Sequence, residues 1–352
     1  IFAALKADIF NSMTDAYIID SSRGQLEELD RLGFVREYTS GAEGMTYALD
    51  KVIQEMERRR ELLVENRHMK QEDILKEVRG LAREGYKEIV FTGIHISSYG
   101  MDFIDKSDGD YLENGKDLRG TAMERAYLLN LVREIAEVDG IERIRLGSLE
   151  PRIITEKFVN GLAAVSKVCP HFHLSLQSGC DETLKRMNRH YTTEEYYDRV
   201  KLLRRVFGNP AITTDVITGF PGETEEDFEE TLDLVRKVRY DSAFTFLYSV
   251  RKGTPAETYE NQIPEDVKHQ RFNRLVDLVN QISAEKNAAY VGTMQKVLVE
   301  GPSKTNSRTF TGRTDGFKLV NFRGDASMNG KIIDVRITKS STFSLEGEAI
   351  DG

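Results

Sequence analysis

Two apolar runs, HFHLSLQSG at 171–179 and AITTDVITGFPGE at 211–223, bracket a charged segment of helical periodicity. Each run has the length and β-branched content of a buried strand, and each ends in a loop bearing glycine. Two such strands joined by an amphipathic helix make a βαβ unit of a parallel sheet. Ligands collect beyond the carboxyl ends of such strands, here Gln177-Ser178-Gly179 and Thr218-Gly219-Phe220-Pro221-Gly222-Glu223.

The same unit recurs on both sides of this stretch. Upstream, QEDILKEVRGLAREGY reads as a helix with Ile74, Leu75, Val78 and Leu81 on one side and Gly85 as its C-cap, followed by the strand Glu88–Thr92 and the loop GIHISSYG. A helix over ERAYLLNLVREIAEVDG, a strand ending at Ser148-Leu149-Glu150-Pro151 and a helix over ITEKFVNGLAAVSKV come next. Downstream, one helical region is expected over Asp181–Val206; Thr224 caps another, and SAFTFLYSV is a strand. At least five strands alternate with helices, which predicts an α/β fold with a parallel barrel or open sheet. From about residue 294 the period drops to two, and KVLVEG, TFTGRTDGFKLVNF and KIIDVRITKSSTFSLEGE predict a small antiparallel β-barrel. Residues 1–66 offer AYIID as a strand, QLEELDRLGF as a helix, and a longer helix whose stripe of Tyr47, Leu49, Val52, Ile53 and Met56 is a core face.

A chain of 352 residues with 39% apolar side chains can bury a full core. The net charge is −9, yet the stretch from Gln295 onward holds nine basic against seven acidic residues, a weak pointer to a polyanion partner. No apolar run approaches the roughly 18 residues needed to cross a membrane, and without a signal peptide a cytoplasmic protein is expected.

The loop GFPGETEEDF is either a helix entry shaped by its glycines or a place where a flat ligand meets backbone, with Glu223 beside it. The polar ends GIHISSYG, SLEP, LQSG and YSVRKGTP at successive strands favour the ligand. A Gly219→Val change is then expected to abolish ligand binding and leave the fold intact. His171 and His173 share a strand face with no carboxylate at metal spacing along the sequence, so packed histidines are expected. Cys169 and Cys180 are the only cysteines, too few for an iron–sulfur cluster, and Cys180 is read as buried and not as a nucleophile.

The phrases LSLQSGCDETLKRMNRHYTTEEY, TDVITGFPGETEEDF and FLYSVRKGTPA closely resemble the radical S-adenosylmethionine (SAM) tRNA methylthiotransferases. KEIVFTGIHISSYG and CPHFHLSLQSGC look most like the branch acting on threonylcarbamoyladenosine beside the anticodon. The resemblance covers about residues 67–294, and 295–348 is similar to the RNA-binding TRAM barrel.

It implies three parts: an N-terminal segment at 1–66, a partial (β/α)6-type barrel at 67–294 and a TRAM-like module at 295–352. It also implies SAM and 4Fe-4S clusters as cofactors, tRNA and a flavodoxin or ferredoxin as partners, and a monomer away from membranes. Another tRNA adenosine, a ribosomal-protein substrate, or a cluster-less RNA-binding relative are the alternatives. Carried over by motif, Thr92 and Gly93 meet the SAM amino group, Ser148 and Glu150 the ribose or methionine, Gln177 and Arg189 the polar tail, and the backbone from Ile217 to Gly219 the adenine. Arg313, Lys318 and Arg323 would contact tRNA phosphates. The family's CxxxCxxC motif, due just before RHMKQEDILKEV, is not there, nor are three further cysteines expected in an N-terminal domain. The intact SAM-side motifs favour a missing segment over a degenerate relative.

Overall fold

The structure is a computed structural model and describes residues 16–20, 35–40, 71–92, 96–100, 127–303 and 309–350. Ile1–Lys70 and Gln71–Gly352 are two compact units. In the first, β1 (Ala16–Asp20, the expected AYIID strand) pairs in parallel with β2 (Val35–Ser40). The two helices expected in that unit, and the stripe from Tyr47 to Met56, lie outside the described residues.

The second unit is built on a five-stranded sheet, β3 (Glu88–Phe91), β4 (Arg143–Leu149), β5 (Val168–Leu174), β6 (Ala211–Thr218) and β7 (Ser242–Leu247), in that spatial order. Every pair is parallel. Parallel neighbours need crossovers, and after α1 (Gln71–Arg83), which leads into β3, the amphipathic segments supply them: α2 (Tyr127–Ala136), α3 (Glu156–Ala163), α4 (Asp181–Arg186), α5 (Thr193–Phe207) and α6 (Glu225–Val238). One core joins strand residues Ile144, Leu146, Phe172 and Ile212 to helix residues Val132, Ile135, Tyr196 and Val235. The long α7 (Glu265–Ala288) follows β7 and leads to the second barrel.

Two expectations are corrected in detail. The Asp181–Val206 region is two helices, because Asn188 takes a left-handed φ of 56° and Thr192 opens α5 with a reciprocal capping box to Glu195. The central strand begins at Val168 instead of His171.

Strands β8 (Met294–Pro302), β9 (Thr309–Thr314), β10 (Leu319–Arg323), β11 (Ile332–Ser340) and β12 (Leu345–Ala349) close a barrel around Val297, Val299, Phe310, Val320, Phe322, Val335 and Ile337. It is antiparallel except where β10 and β12 close it in parallel, a departure from the all-antiparallel expectation.

This small barrel seats on the amino ends of the parallel strands. Arg143 and Arg145 sit on β4, a strand buried on both faces, so each guanidinium needs acceptors. Arg143 donates to the carbonyls of Arg313 (3.0 Å) and Lys296 (2.8 Å). Arg145 donates to the carbonyl of Asp315 (2.7 Å) and to the Glu88 carboxylate (2.7 Å). Phe317, at a φ of 66°, stacks on His171 with ring centroids 5.0 Å apart. Lys318 Nζ meets Asp241 Oδ1 at 3.0 Å.

Candidate functional site: the mouth of the parallel sheet

At the opposite end, the strand termini open into a cavity of about 690 Å³ lined by Gln177, Arg189, Asp215, Ile217, Phe246 and Tyr248 among others. Two non-glycine residues at these termini are held in the left-handed region, Ser148 at φ 51° and Gln177 at φ 72°. Such conformations cost on the order of 1–3 kcal/mol each and gather at functional sites. Gln177 is fixed there by main-chain bonds: its N–H donates to Asp215 O (2.8 Å) and its carbonyl accepts from Ile217 N–H (2.9 Å).

The loop after β6 is braced from within. Glu223 is buried, accepts from Gly219 N–H at 3.0 Å, and is paired with Arg271 Nη1 of α7 at 2.9 Å. Gly219 takes a φ of 75°, and a Cβ there would stand 2.4 Å from Lys268 Cγ. Protein thus fills the space beside the Gly219 Cα that the sequence argument gave to a ligand, and both partners of Glu223 serve the loop.

Gln177, Arg189 and Ile217 line the mouth cavity together, while Ser148 lines a second cavity on the inner face. Glu150 precedes a short 3-10 turn at Pro151–Ile153, and its N–H donates to Ser97 Oγ at 3.2 Å. Thr92 is exposed just beyond β3, and Gly93 lies outside the described residues. Of the residues assigned to tRNA, Arg323 is exposed and Arg313 is half-buried against Glu300 (3.0 Å). Lys318 is corrected: it is 8% exposed and neutralised by Asp241, so it braces the barrel junction and offers no charge to a phosphate.

Sequence reasoning missed Asp215. It is distant from His173 along the chain but neighbours it across β5 and β6, and the paired strands build a string: His171 Nε2 to Thr213 Oγ1 (3.2 Å), Thr213 Oγ1 to His173 Nδ1 (3.0 Å), and His173 Nε2 to Asp215 Oδ2 (3.1 Å). The inward alternation His171, His173 against Thr213, Asp215 was the available signal. Burial, with Arg145 beside it, pushes the His171 imidazole down to about 3, so it is neutral.

Both cysteines are buried, Cys180 as the sequence suggested. Burial pushes each thiol up to about 11. They occupy opposite ends of β5, Cys169 inside the strand and Cys180 at the cap of α4, where its thiol donates to Asp227 Oδ1 at 3.3 Å.

The Radical SAM superfamily model matches residues 56–235, just over half the chain. This chain belongs to the radical SAM superfamily. A TRAM domain model matches residues 288–350. The tRNA-2-methylthio-N(6)-dimethylallyladenosine synthase of Clostridium botulinum (strain Loch Maree / Type A3) is 48% identical over 79% of this chain and 58% of its own length. That of Acetivibrio thermocellus is 41% identical over 99% of this chain and 68% of its own length. The chain therefore spans somewhat more than half the length of the first of these relatives. Among solved structures, coproporphyrinogen III oxidase (HemN) from Escherichia coli aligns with a TM-score of 0.38 and 15% identity over 55% of this chain and 51% of that one, too loose a match to bear on function.

The superfamily's SAM-ligated 4Fe-4S cluster needs three thiolates. Two cysteines, held apart and protonated, do not fit it, and among the described residues no group of three or more His, Cys, Asp or Glu side chains could hold a metal ion. The radical SAM fold and its polar mouth are present; the cluster ligands are not.

Proposed function

We propose that this chain is the SAM-binding and tRNA-binding part of a tRNA methylthiotransferase, and that the nucleoside served is N6-dimethylallyladenosine. The activity for which relatives 41–49% identical are named supports this nucleoside over the threonylcarbamoyladenosine suggested by short phrases of sequence. The observation that carries the proposal is the union, in one compact unit, of a parallel half-barrel with a polar mouth and a TRAM barrel seated on its opposite end.

On this reading residues 67–294 form the SAM core and 295–352 the RNA module. Gln177 and Arg189 take the polar tail of SAM, and the backbone from Ile217 to Gly219 meets the adenine. By motif, Thr92 and Gly93 take the SAM amino group, and Ser148 and Glu150 the ribose or methionine. When bound with its cluster, SAM would supply both methyl group and radical; this chain's own residues bind and orient it and exclude water. No step is derived through the cluster, because its ligands are not in the chain.

Nucleoside mass spectrometry of tRNA from a strain lacking the gene is expected to show loss of 2-methylthio-N6-dimethylallyladenosine. Loss of the threonylcarbamoyl counterpart alone would move the assignment to that branch, and no loss at all would reject it. The two-cysteine composition favours one second reading, a cluster-less RNA-binding relative. Reconstitution with iron and sulfide under argon is expected to give no cluster absorbance for these residues, and a stable four-iron cluster would refute both that reading and the ligand argument.

A further inference from the structure

A second cavity, of about 550 Å³, lies on the inner face of the sheet where it meets the small barrel. Its walls come from both modules: Phe244 of β7, Phe317 of the β9–β10 turn and Phe343 of the β11–β12 turn line it together with His171, His173 and Asp215. Phe244 is 56% and Phe343 76% exposed, large apolar area for side chains that border a cavity. Among the described residues, Asp215 alone lines both this cavity and the mouth.

The charges show what the cavity would accept. Its cations are already neutralised by protein carboxylates, Arg145 by Glu88, Lys318 by Asp241 and Arg313 by Glu300. That leaves little to attract a phosphate. The cavity instead offers aromatic faces, a carboxylate steadied by His173, and His171, which is 4% exposed with Nδ1 unpartnered among the described residues. Exposed aromatic faces beside a hydrogen-bonding edge are how proteins hold an unstacked base of single-stranded RNA.

We propose that this junction cleft binds one unstacked purine of the tRNA, its faces against Phe244 and Phe343 and its exocyclic amine donating to Asp215. The site is distinct from the SAM mouth, is completed only by the docked TRAM module, and rests on the tRNA reading above. His173 is a positioning residue for Asp215. The register places Asp215 opposite Phe244, and His173 lies 5.9 Å from the Phe244 ring, so acceptor and stacking face adjoin.

The test uses the full chain and a synthetic anticodon stem-loop RNA in which 2-aminopurine replaces each loop adenosine in turn. One position should be quenched on binding. Phe343→Ala, on an exposed turn, and Phe244→Leu should each remove the quenching and weaken binding by about tenfold, the scale of one base–aromatic stack. Calorimetric titration with S-adenosylhomocysteine should be unchanged in both variants. Purine riboside at the quenched position should weaken binding to the wild type, and Asp215→Ala should erase that difference. RNA that binds with full affinity and quenching in both phenylalanine variants overturns the cleft while sparing the tRNA assignment. Competition between S-adenosylhomocysteine and the stem-loop also overturns it, by placing the base in the mouth. A stem-loop that fails to bind wild-type protein overturns both proposals.

Discussion

At Gly219 two constraints coincide: a φ of 75°, and the Lys268 aliphatic stem where a Cβ would go. Lys268 is itself 4% exposed, and its Nζ is anchored to Glu265 at 2.7 Å, so it has little room to yield. Gly219→Val is therefore expected to destabilise the unit by about 1–3 kcal/mol, with the melting temperature falling several degrees. S-adenosylhomocysteine affinity at low temperature should fall only as far as the folded fraction does. The sequence alone argued for the reverse, lost binding with an intact fold; a melt unchanged from wild type would restore that argument.

Among the elements, α6 shows how local sequence sets a boundary that tertiary contacts then exploit. Thr224 Oγ1 accepts from Asp227 N–H and the Asp227 carboxylate accepts from Thr224 N–H, the reciprocal box that starts the helix. The same carboxylate takes Arg186 Nη2 at 2.9 Å and the Cys180 thiol, tying α6 to α4. Thr224→Ala should cost about 1 kcal/mol, the usual loss of an N-cap, read by chemical denaturation. Asp227→Ala should cost more than Thr224→Ala, because it also releases Arg186; equal losses would reduce Asp227 to a cap alone.

For the whole unit, Asp241 is the bolt between the parallel sheet and the small barrel. It accepts from Ile212 N–H at 3.0 Å, and its carboxylate holds Lys318 of the small barrel and Lys286 of α7. Burial pushes its carboxyl up, but Lys318 and Lys286 outweigh burial and hold it below the ordinary carboxylate range. A depressed folded pKa stabilises above the unfolded value, near 3.8 for this group, and the benefit is lost as pH falls through the folded value. Melts of the wild type should therefore drop through the acid range below about pH 4. Asp241→Asn should remove this component and, by leaving Lys318 buried without its counter-charge, cost about 3–5 kcal/mol at neutral pH. Stability at pH 7 equal to wild type would show that the pair does not hold the junction.

Periodicity alone separated the βαβ units from the C-terminal β-barrel, because runs of period two and 3.6 report which faces are buried. Composition alone fixed the want of cluster ligands, since two cysteines are two cysteines in any fold. Motif order pointed to the mouth, and the left-handed backbone of Gln177 stands there. What the sequence could not decide was side-chain fate. Lys318 reads as a surface cation and is buried on Asp241; Gly219 reads as a ligand platform and packs on Lys268; Asp215 shows only the alternation of its strand yet completes a chain of hydrogen bonds with His173. Each outcome depends on a partner at least 40 residues away in sequence that strand register or domain docking brings within contact, and local pattern holds no record of that pairing.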